Sequence, residues 1–298
     1  MDVKKIEIFL SVVEHGNLTL AAEEVGYTQS GVSHIIKNLE EEMGFPLLLR
    51  FHTGVAPTEE AKRLIPIMRK LTSWGDQLEQ VVASINGLET GIVRVGALSS
   101  ITANWMPTVL KEFSRDHPNI DVRIIGGEGN GEIAEWLEQG KVDLGLYGFT
   151  DNKPFERIPL MEDTMLAILP NDHPLAKLER IPIKSFHGVK FITIPENLHD
   201  EAHDLLRRHR TKPDFSFITC DDLSIITMVE MGLGVSIFPQ LMMRCYSHCN
   251  VKMIPLDPPS TRTLGIVVRS IKNTSPASKL FISYTKRIVE RLLKEKKT

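Results

Sequence analysis

Between Thr58 and Asn86 apolar residues return at every seventh position. Leu64, Leu71, Leu78 and Ile85 form one row, and Ala61, Met68, Gly75 and Val82 fill companion positions three residues earlier. Such a repeat is a helical signal, and a helix of this length is about 40 Å long. A rod of that size divides the chain into a short segment before it and a long one after it. Successive heptads with Leu or Ile at one core position predict a coiled-coil seam and hence a dimer. A surface helix packed on its own domain produces the same pattern. Pro66 removes one backbone bond and predicts a kink, and Gly75 weakens the seam locally.

The short segment, residues 1–60, reads as helices separated by tight turns. Ile6, Phe9, Leu10 and Val13 share one helical face. Gly16 can stop that helix, and Thr19 can cap a second one from Leu20 to Val25. Gly26 marks a sharp turn. Thr28 is the N-cap expected for a third helix running to Met43. Val32, Ile35, Ile36 and Leu39 lie on its apolar side, while Ser30, Ser33, His34 and Lys37 lie opposite. Leu47–Arg50 and His52–Val55 then suggest a hairpin with a glycine turn. Three short helices with a glycine turn before the third are a helix-turn-helix candidate. One face of the third helix anchors on a core while the other offers hydrogen-bonding groups to base edges. Gln29 can pair bidentately with adenine, Ser30 and Ser33 suit base edge or phosphate, and His34 and Lys37 can reach phosphate or guanine. In the hairpin, Arg50 and His52 would meet the neighbouring backbone.

After Gly87 the pattern changes to alternation. Strand-like runs at Ile92–Ala97, Ile120–Ile125 and Val142–Tyr147 are separated by helical patterns at Ile101–Arg115 and Asn130–Gln139. This β-α-β-α-β order predicts parallel strands with crossover helices. Further strands are expected at Met165–Leu169, Lys190–Ile192, Phe215–Ile218 and Val235–Phe238. Helices are expected near His199–Arg210, Asp222–Met231 and Pro276–Lys297.

Charge limits the partners. The chain carries 35 Lys and Arg against 38 Asp and Glu, a net −3, which argues against a general nucleic-acid coat but leaves room for a small reading face. Residues 1–60 hold only Lys4, Lys5, Lys37 and Arg50 against ten acidic residues, a net −6. Phosphate neutralisation normally drives DNA affinity, so few ion pairs and modest affinity per half-site are expected, rescued by avidity in an oligomer. Protonation of His34 and His52 in mildly acid solution would add positive charge. No apolar run suits a membrane helix, the N-terminus does not read as a signal peptide, and three cysteines fit reduced thiols in a cytoplasmic protein.

Other chemistry is weakly signalled. His199 and His203 have zinc-compatible spacing, but Asp200 stands where a metalloprotease needs Glu. Cys245, His248 and Cys249 supply three local ligands where a structural zinc site wants four. The glycine-rich run Gly126–Gly131 lacks phosphate-loop and dinucleotide spacing. No catalytic residue, metal site or cofactor is expected.

Residues 3–61 resemble the winged helix-turn-helix of LysR-type transcriptional regulators. The resemblance rests on Leu18–Val25, Thr28–Ile36, Leu39–Leu48 and Pro57–Ala61. It extends along the chain through Gly91–Gly96, Leu169–Ala176 and Met231–Pro239. Departures are His34 where the family often has Arg, Pro57 where it often has Leu, Ala61 where it usually has Gly, and a less basic wing.

The resemblance implies an α/β protein with an N-terminal all-α winged helix-turn-helix, a long linker helix and a two-lobed effector domain like periplasmic binding proteins of type 2. The expected bounds are 1–60 for the DNA-binding domain, 58–87 for the linker and 91–298 for the effector domain. Lobe I would take about 91–163 and 267–298, and lobe II about 164–266. The implied protein is a homodimer or homotetramer that binds double-stranded, partly palindromic promoter DNA and responds to a small-molecule effector. The competing reading is a cytosolic α/β ligand carrier or enzyme whose N-terminal helices only dimerise.

In open α/β sheets ligands bind at strand carboxyl ends. Ser99, Ser100 and Thr102 stand at the turn after the first such strand, where hydroxyls and free helix-start amides favour a carboxylate or other anion. Ordinary capping by serine is the plain alternative. By analogy with the fold, Asn130, Phe149 and Thr193 occupy equivalent places.

Overall fold

The computed structural model describes residues 2–87, 89–127, 129–149, 153–195 and 201–295. The first three helices are α1 (Val3–His15), α2 (Leu18–Val25) and α3 (Gln29–Met43). Asn17, not Thr19, caps α2: its Oδ1 accepts from the amides of Thr19 and Leu20 at 2.8 and 3.3 Å. The helix therefore starts at Leu18. Gly26 (φ 72°) takes the left-handed turn before Thr28, whose hydroxyl accepts from the Gly31 amide at 3.1 Å. The hairpin follows as β1 (Leu48–Phe51) and β2 (Gly54–Pro57), paired antiparallel. Glu40 accepts from the amides of Leu47 and Leu48 at 2.7 and 3.2 Å, which fixes the hairpin to the end of α3.

The long helix is α4 (Glu59–Ile85). Its two halves do different jobs. Ala61, Ile65 and Met68 are buried in the core of α1–α3 with Phe9, Ile36 and Leu39, and Leu64 and Leu71 pack beside them. Ala61 and Met68 therefore do not belong to a seam, and Gly75 fits against Val3. The second exposed row is instead Ile67, Trp74 and Val81, four residues before Leu71, Leu78 and Ile85. Trp74, Leu78 and Ile85 are 66%, 65% and 80% exposed. The first half of α4 is thus packed on its own domain, and the second half leaves its apolar row exposed. Because α4 must also cover its own domain, the apolar band is wider than one seam.

The larger part begins with β3 (Gly91–Leu98), α5 (Ser99–Asn104), α6 (Met106–Asp116), β4 (Ile120–Gly127), α7 (Asn130–Glu138) and β5 (Leu144–Gly148). Strand β3 pairs parallel with both β4 and β5, as the alternation predicts. The single helix expected over Ile101–Arg115 breaks at the buried Trp105. Pro107 has no N–H to continue the ladder, so α5 ends and α6 restarts.

Next come β6 (Glu156–Leu169), β7 (Ile181–Pro182), β8 (Lys190–Thr193), α8 (Glu201–Arg208), β9 (Asp214–Ile218), α9 (Asp222–Glu230), β10 (Ser236–Pro239), α10 (Gln240–Met243), β11 (Lys252–Asp257), β12 (Thr261–Val268) and α11 (Pro276–Glu295). The main sheet runs β4-β3-β5-β12-β6-β11-β7, with β10 also on β6, and β8 pairs with β9 separately.

Strand β6 belongs to both lobes. It pairs with β12 as far as Thr164 and with β10 from Met165 onward. The change of partner falls between Thr164 and Met165. The other crossover is earlier than expected: Thr261–Val268 lies wholly beside β5 and β6 in lobe I. Lobe I therefore resumes near residue 261, not 267. The core of lobe I centres on Trp105, Phe113, Tyr147 and Phe281. Lobe II has two clusters, one with Phe186 and Phe191 and one with Ile225 and Ile226. Among the described residues no helix is long and apolar enough to cross a membrane, and no His/Cys/Asp/Glu group could hold a metal ion. His199 and Asp200 lie outside the described residues.

Candidate functional site

Helix α3 buries Val32, Ile36 and Leu39 and so turns its opposite side to solvent. Ser30, His34 and Lys37 are exposed on that side, Ser33 is half-buried, and Thr28 and Gln29 are exposed at the start of the helix. Arg50 on β1 joins them: its Nη2 donates to Ser33 Oγ at 3.4 Å. His52 is exposed at the hairpin turn. Six of the eight predicted residues thus stand on α3 and its cap, Arg50 meets them from the wing, and His52 lies at the wing's turn. Besides Ser33 and Arg50, three more already have partners. The Thr28 hydroxyl caps α3 and meets Ser30 Oγ at 3.2 Å, while Lys37 lies 3.7 Å from Glu41.

The acidic excess of this region is mostly tied up elsewhere. Glu7 pairs with Lys4, Glu42 with Lys5, and Glu59 with Lys62. Glu24 accepts from the Ser11 hydroxyl and sits 3.1 Å from His15, and these contacts, the hydroxyl first, hold its carboxyl below the ordinary range. Several carboxylates thus act as local fasteners. What faces outward on α3 is a set of mostly uncharged donors and acceptors with Lys37, which Glu41 partly offsets, and Arg50 of β1 beside them.

The second region lies between the lobes. A cavity of about 90 Å³ is lined by Ser99, Ser100, Asn130 and Thr193, four of the six effector candidates. Phe149 lines an adjoining cavity of about 210 Å³ instead. Gly265 permits this, because a Cβ there would come 2.4 Å from the Phe149 ring. Thr102 lines neither cavity. It sits further along α5 than the exposed Ser99 and the buried Ser100, and its hydroxyl is buried without a hydrogen-bond partner among the described residues.

Three charged residues absent from those candidates form a network here: Arg262 and Glu201 line the cavity, and Asp163 is buried against Arg262. Arg262 on β12 is buried; its Nη2 donates to Ser100 Oγ at 3.2 Å and its Nε to Asp163 Oδ2 at 3.1 Å. Its Nη1 lies 3.4 Å from Glu201 Oε1. That same oxygen accepts from Asn130 Nδ2 at 2.8 Å, and Asn130 Oδ1 accepts from the Gly148 amide at 2.9 Å. Asp163 is fully buried and also accepts from the Leu241 amide at 2.9 Å. Burial pushes its carboxyl above the ordinary aspartate range, against the pull of Arg262. The sequence carried one signal for this network: Arg262 is in phase with the inward Leu264 and Ile266 of the same strand.

Arg262 and Asp163 sit where the chain passes between lobes, Ser100 and Asn130 belong to lobe I, and Glu201 opens α8 of lobe II. The network thus ties both lobes together below the cavity. Helix α4 is tied to lobe I as well. Asp76 pairs with Arg94 at 3.0 Å, and Gln80 Oε1 accepts from the Ala277 amide at the start of α11 at 3.3 Å.

Comparison with known proteins agrees with this architecture. Residues 3–62 match the family model described as bacterial regulatory helix-turn-helix protein, lysR family. Residues 86–289 match the LysR substrate binding domain. The chain is 29% identical over 290 residues to the uncharacterized HTH-type transcriptional regulator YvbU of Bacillus subtilis, covering 97% of this chain and 99% of that one. Its fold is similar to that of full-length OxyR from Pseudomonas aeruginosa, with a TM-score of 0.74 at 20% identity, over 97% of this chain and 94% of that one. The effector binding domain of QuiR, solved in complex with shikimate, matches with a TM-score of 0.60 at 22% identity, over 68% of this chain and 99% of that one. The protein is therefore a DNA-binding regulator of transcription, and the enzyme reading falls away. The chain belongs to the LysR family of bacterial helix-turn-helix regulators.

Proposed function

We propose that this protein acts in the cytoplasm as a dimer or a pair of dimers. It reads an interrupted palindrome through Gln29, Ser30, Ser33 and His34 of α3, with Lys37, Arg50 and His52 on the flanking phosphates. Thr28 acts mainly by capping the helix that presents them. The exposed Ile67, Trp74, Leu78, Val81 and Ile85 row of α4 joins two subunits. A small anion, of which a carboxylate is the simplest case, enters between the lobes beside Ser99 and Thr193 and meets Ser100, Asn130 and Arg262.

The observation that carries the effector reading is the buried Arg262, which touches Ser100, Asp163 and Glu201 at once beneath the cavity. A cation held there favours an anion, and any anion that rearranges its contacts also rearranges the link between lobes. Such differential contact is what lets a ligand shift a conformational equilibrium. The relatives' solved complexes are consistent with this: the QuiR domain is described with shikimate, and the regulatory domain of CcmR from Synechocystis with 2-PG.

The test is selection of genomic fragments by the purified protein near physiological salt, followed by sequencing. Enrichment of half-sites about one helical turn apart is the expected result. A folded, oligomeric protein that enriches nothing would overturn it.

A further inference from the structure

Glu201 occupies the cleft in an unusual way. Its carboxylate reaches from lobe II to Asn130 of lobe I at 2.8 Å and to Arg262 at 3.4 Å. Asn130 is 2% exposed and the Arg262 side chain 7%. These partners are a built anion site: a buried amide donor and a buried guanidinium converge on one oxygen. The anion they hold is part of the chain. Glu201 also stands between the two cavities and lines both.

We infer that Glu201 is a resident competitor for the effector, holding the position that an acidic group of the incoming molecule takes. This rests on the anionic-effector reading above and sharpens it. Exchange of one carboxylate for another leaves the charge around Arg262 and Asp163 unchanged, so the exchange costs little desolvation. It does change the way the lobes touch. When an external carboxylate sits on Asn130 and Arg262, Glu201 is released and α8 is no longer tied to lobe I. Ligand entry is thereby coupled to the position of lobe II. A molecule with two acidic groups benefits most, because one can sit at the Ser99 mouth while the other displaces Glu201. A monoanion can settle at the mouth without displacing it.

The experiment measures binding of succinate and of propionate by calorimetry to the full-length wild type, Glu201→Gln and Glu201→Ala. Ser99→Glu is made in the wild-type and Glu201→Gln backgrounds, and folding of every variant is checked by thermal unfolding. Glu201→Gln keeps an acceptor for Asn130 but removes the charge. Succinate should bind it about tenfold more tightly than wild type, roughly the effect of freeing one charge-assisted hydrogen bond. The gain for propionate should be at most about twofold, a selectivity that a general loosening of the fold does not produce. Glu201→Ala should show the same ranking. Equal or weaker succinate binding to both variants would overturn the competitor. If Ser99→Glu still abolishes binding in that case, the anionic reading of the cleft survives alone. If Ser99→Glu changes nothing, that reading falls too.

Discussion

On the outward face of α3 the polar groups stand in water and few carry charge. Beneath the cleft, Asp163 and Glu201 share the single cation Arg262, and all three sit largely out of water. The first region is built from one helix and its wing, and each side chain there can change partner at little cost. The second is built from residues far apart in the chain, and each holds the others in place. Recognition of DNA sequence needs the first arrangement, since donors and acceptors must be free to meet bases. A switch needs the second, since a ligand must disturb something with two defined states.

The sharpest way to break this contrast is Arg262→Met. It leaves Asp163 buried without its cation, and removing one partner of a buried pair costs about 3–5 kcal/mol. Urea unfolding near neutral pH should show a decrease of that size. Asp163 has a folded pKa above its unfolded one. Its contribution therefore favours the folded state when protonated and turns against it as pH rises through the ordinary aspartate range and above. The variant raises the folded value further, so its deficit should shrink in acid and grow toward neutral pH. A deficit independent of pH would show that Asp163 is not the group that Arg262 compensates.

A smaller effect is expected at the α4 row. Leu78→Glu puts a charge in the centre of the exposed stripe, far from either site. Sedimentation should show dimerisation weakened by about a hundredfold, roughly two to three kcal/mol, while the effector domain unfolds as before. Met68→Ala should instead lower stability without changing assembly, because Met68 faces its own domain. Weakened assembly in Met68→Ala as well as in Leu78→Glu would return Met68 to the seam that the heptad repeat predicts.

The smallest effects belong to the reading face. Gln29→Ala with Ser33→Ala should cost about 1–3 kcal/mol of discrimination for each base these side chains read, with fold and oligomer intact. Binding to unrelated DNA should hardly change.

The same contrast explains what the sequence disclosed. The proposed reading face could be drawn from the sequence because a helix places Gln29, Ser33 and Lys37 by local spacing alone. Strands β3, β4 and β5 were legible because short runs rich in Val, Ile and Leu alternate with helical patterns. The first half of β6 was not: Pro159, Glu162 and Asp163 interrupt any alternation, and the strand is held by its neighbours rather than by its own pattern. The cleft was half legible. Ser99, Ser100, Asn130 and Thr193 follow strand ends and were found by that rule. Arg262, Asp163 and Glu201 meet only after β12 and β6 are paired, a long-range fact that no local spacing encodes. The linker misled because one apolar band served two surfaces, and only packing assigns Ala61 and Met68 to the domain and Trp74 to the solvent.

The most direct measurement is a salt titration of binding to a selected half-site fragment by fluorescence anisotropy. With Lys37 and Arg50 as the permanent cations on the outward face, the slope of log affinity against log salt should be about −2 per bound subunit, and Lys37→Ala should reduce it by about 1. A slope of about −4 or steeper per subunit, unchanged by Lys37→Ala, would contradict a surface that reads DNA by uncharged hydrogen bonding and place the affinity on cations elsewhere.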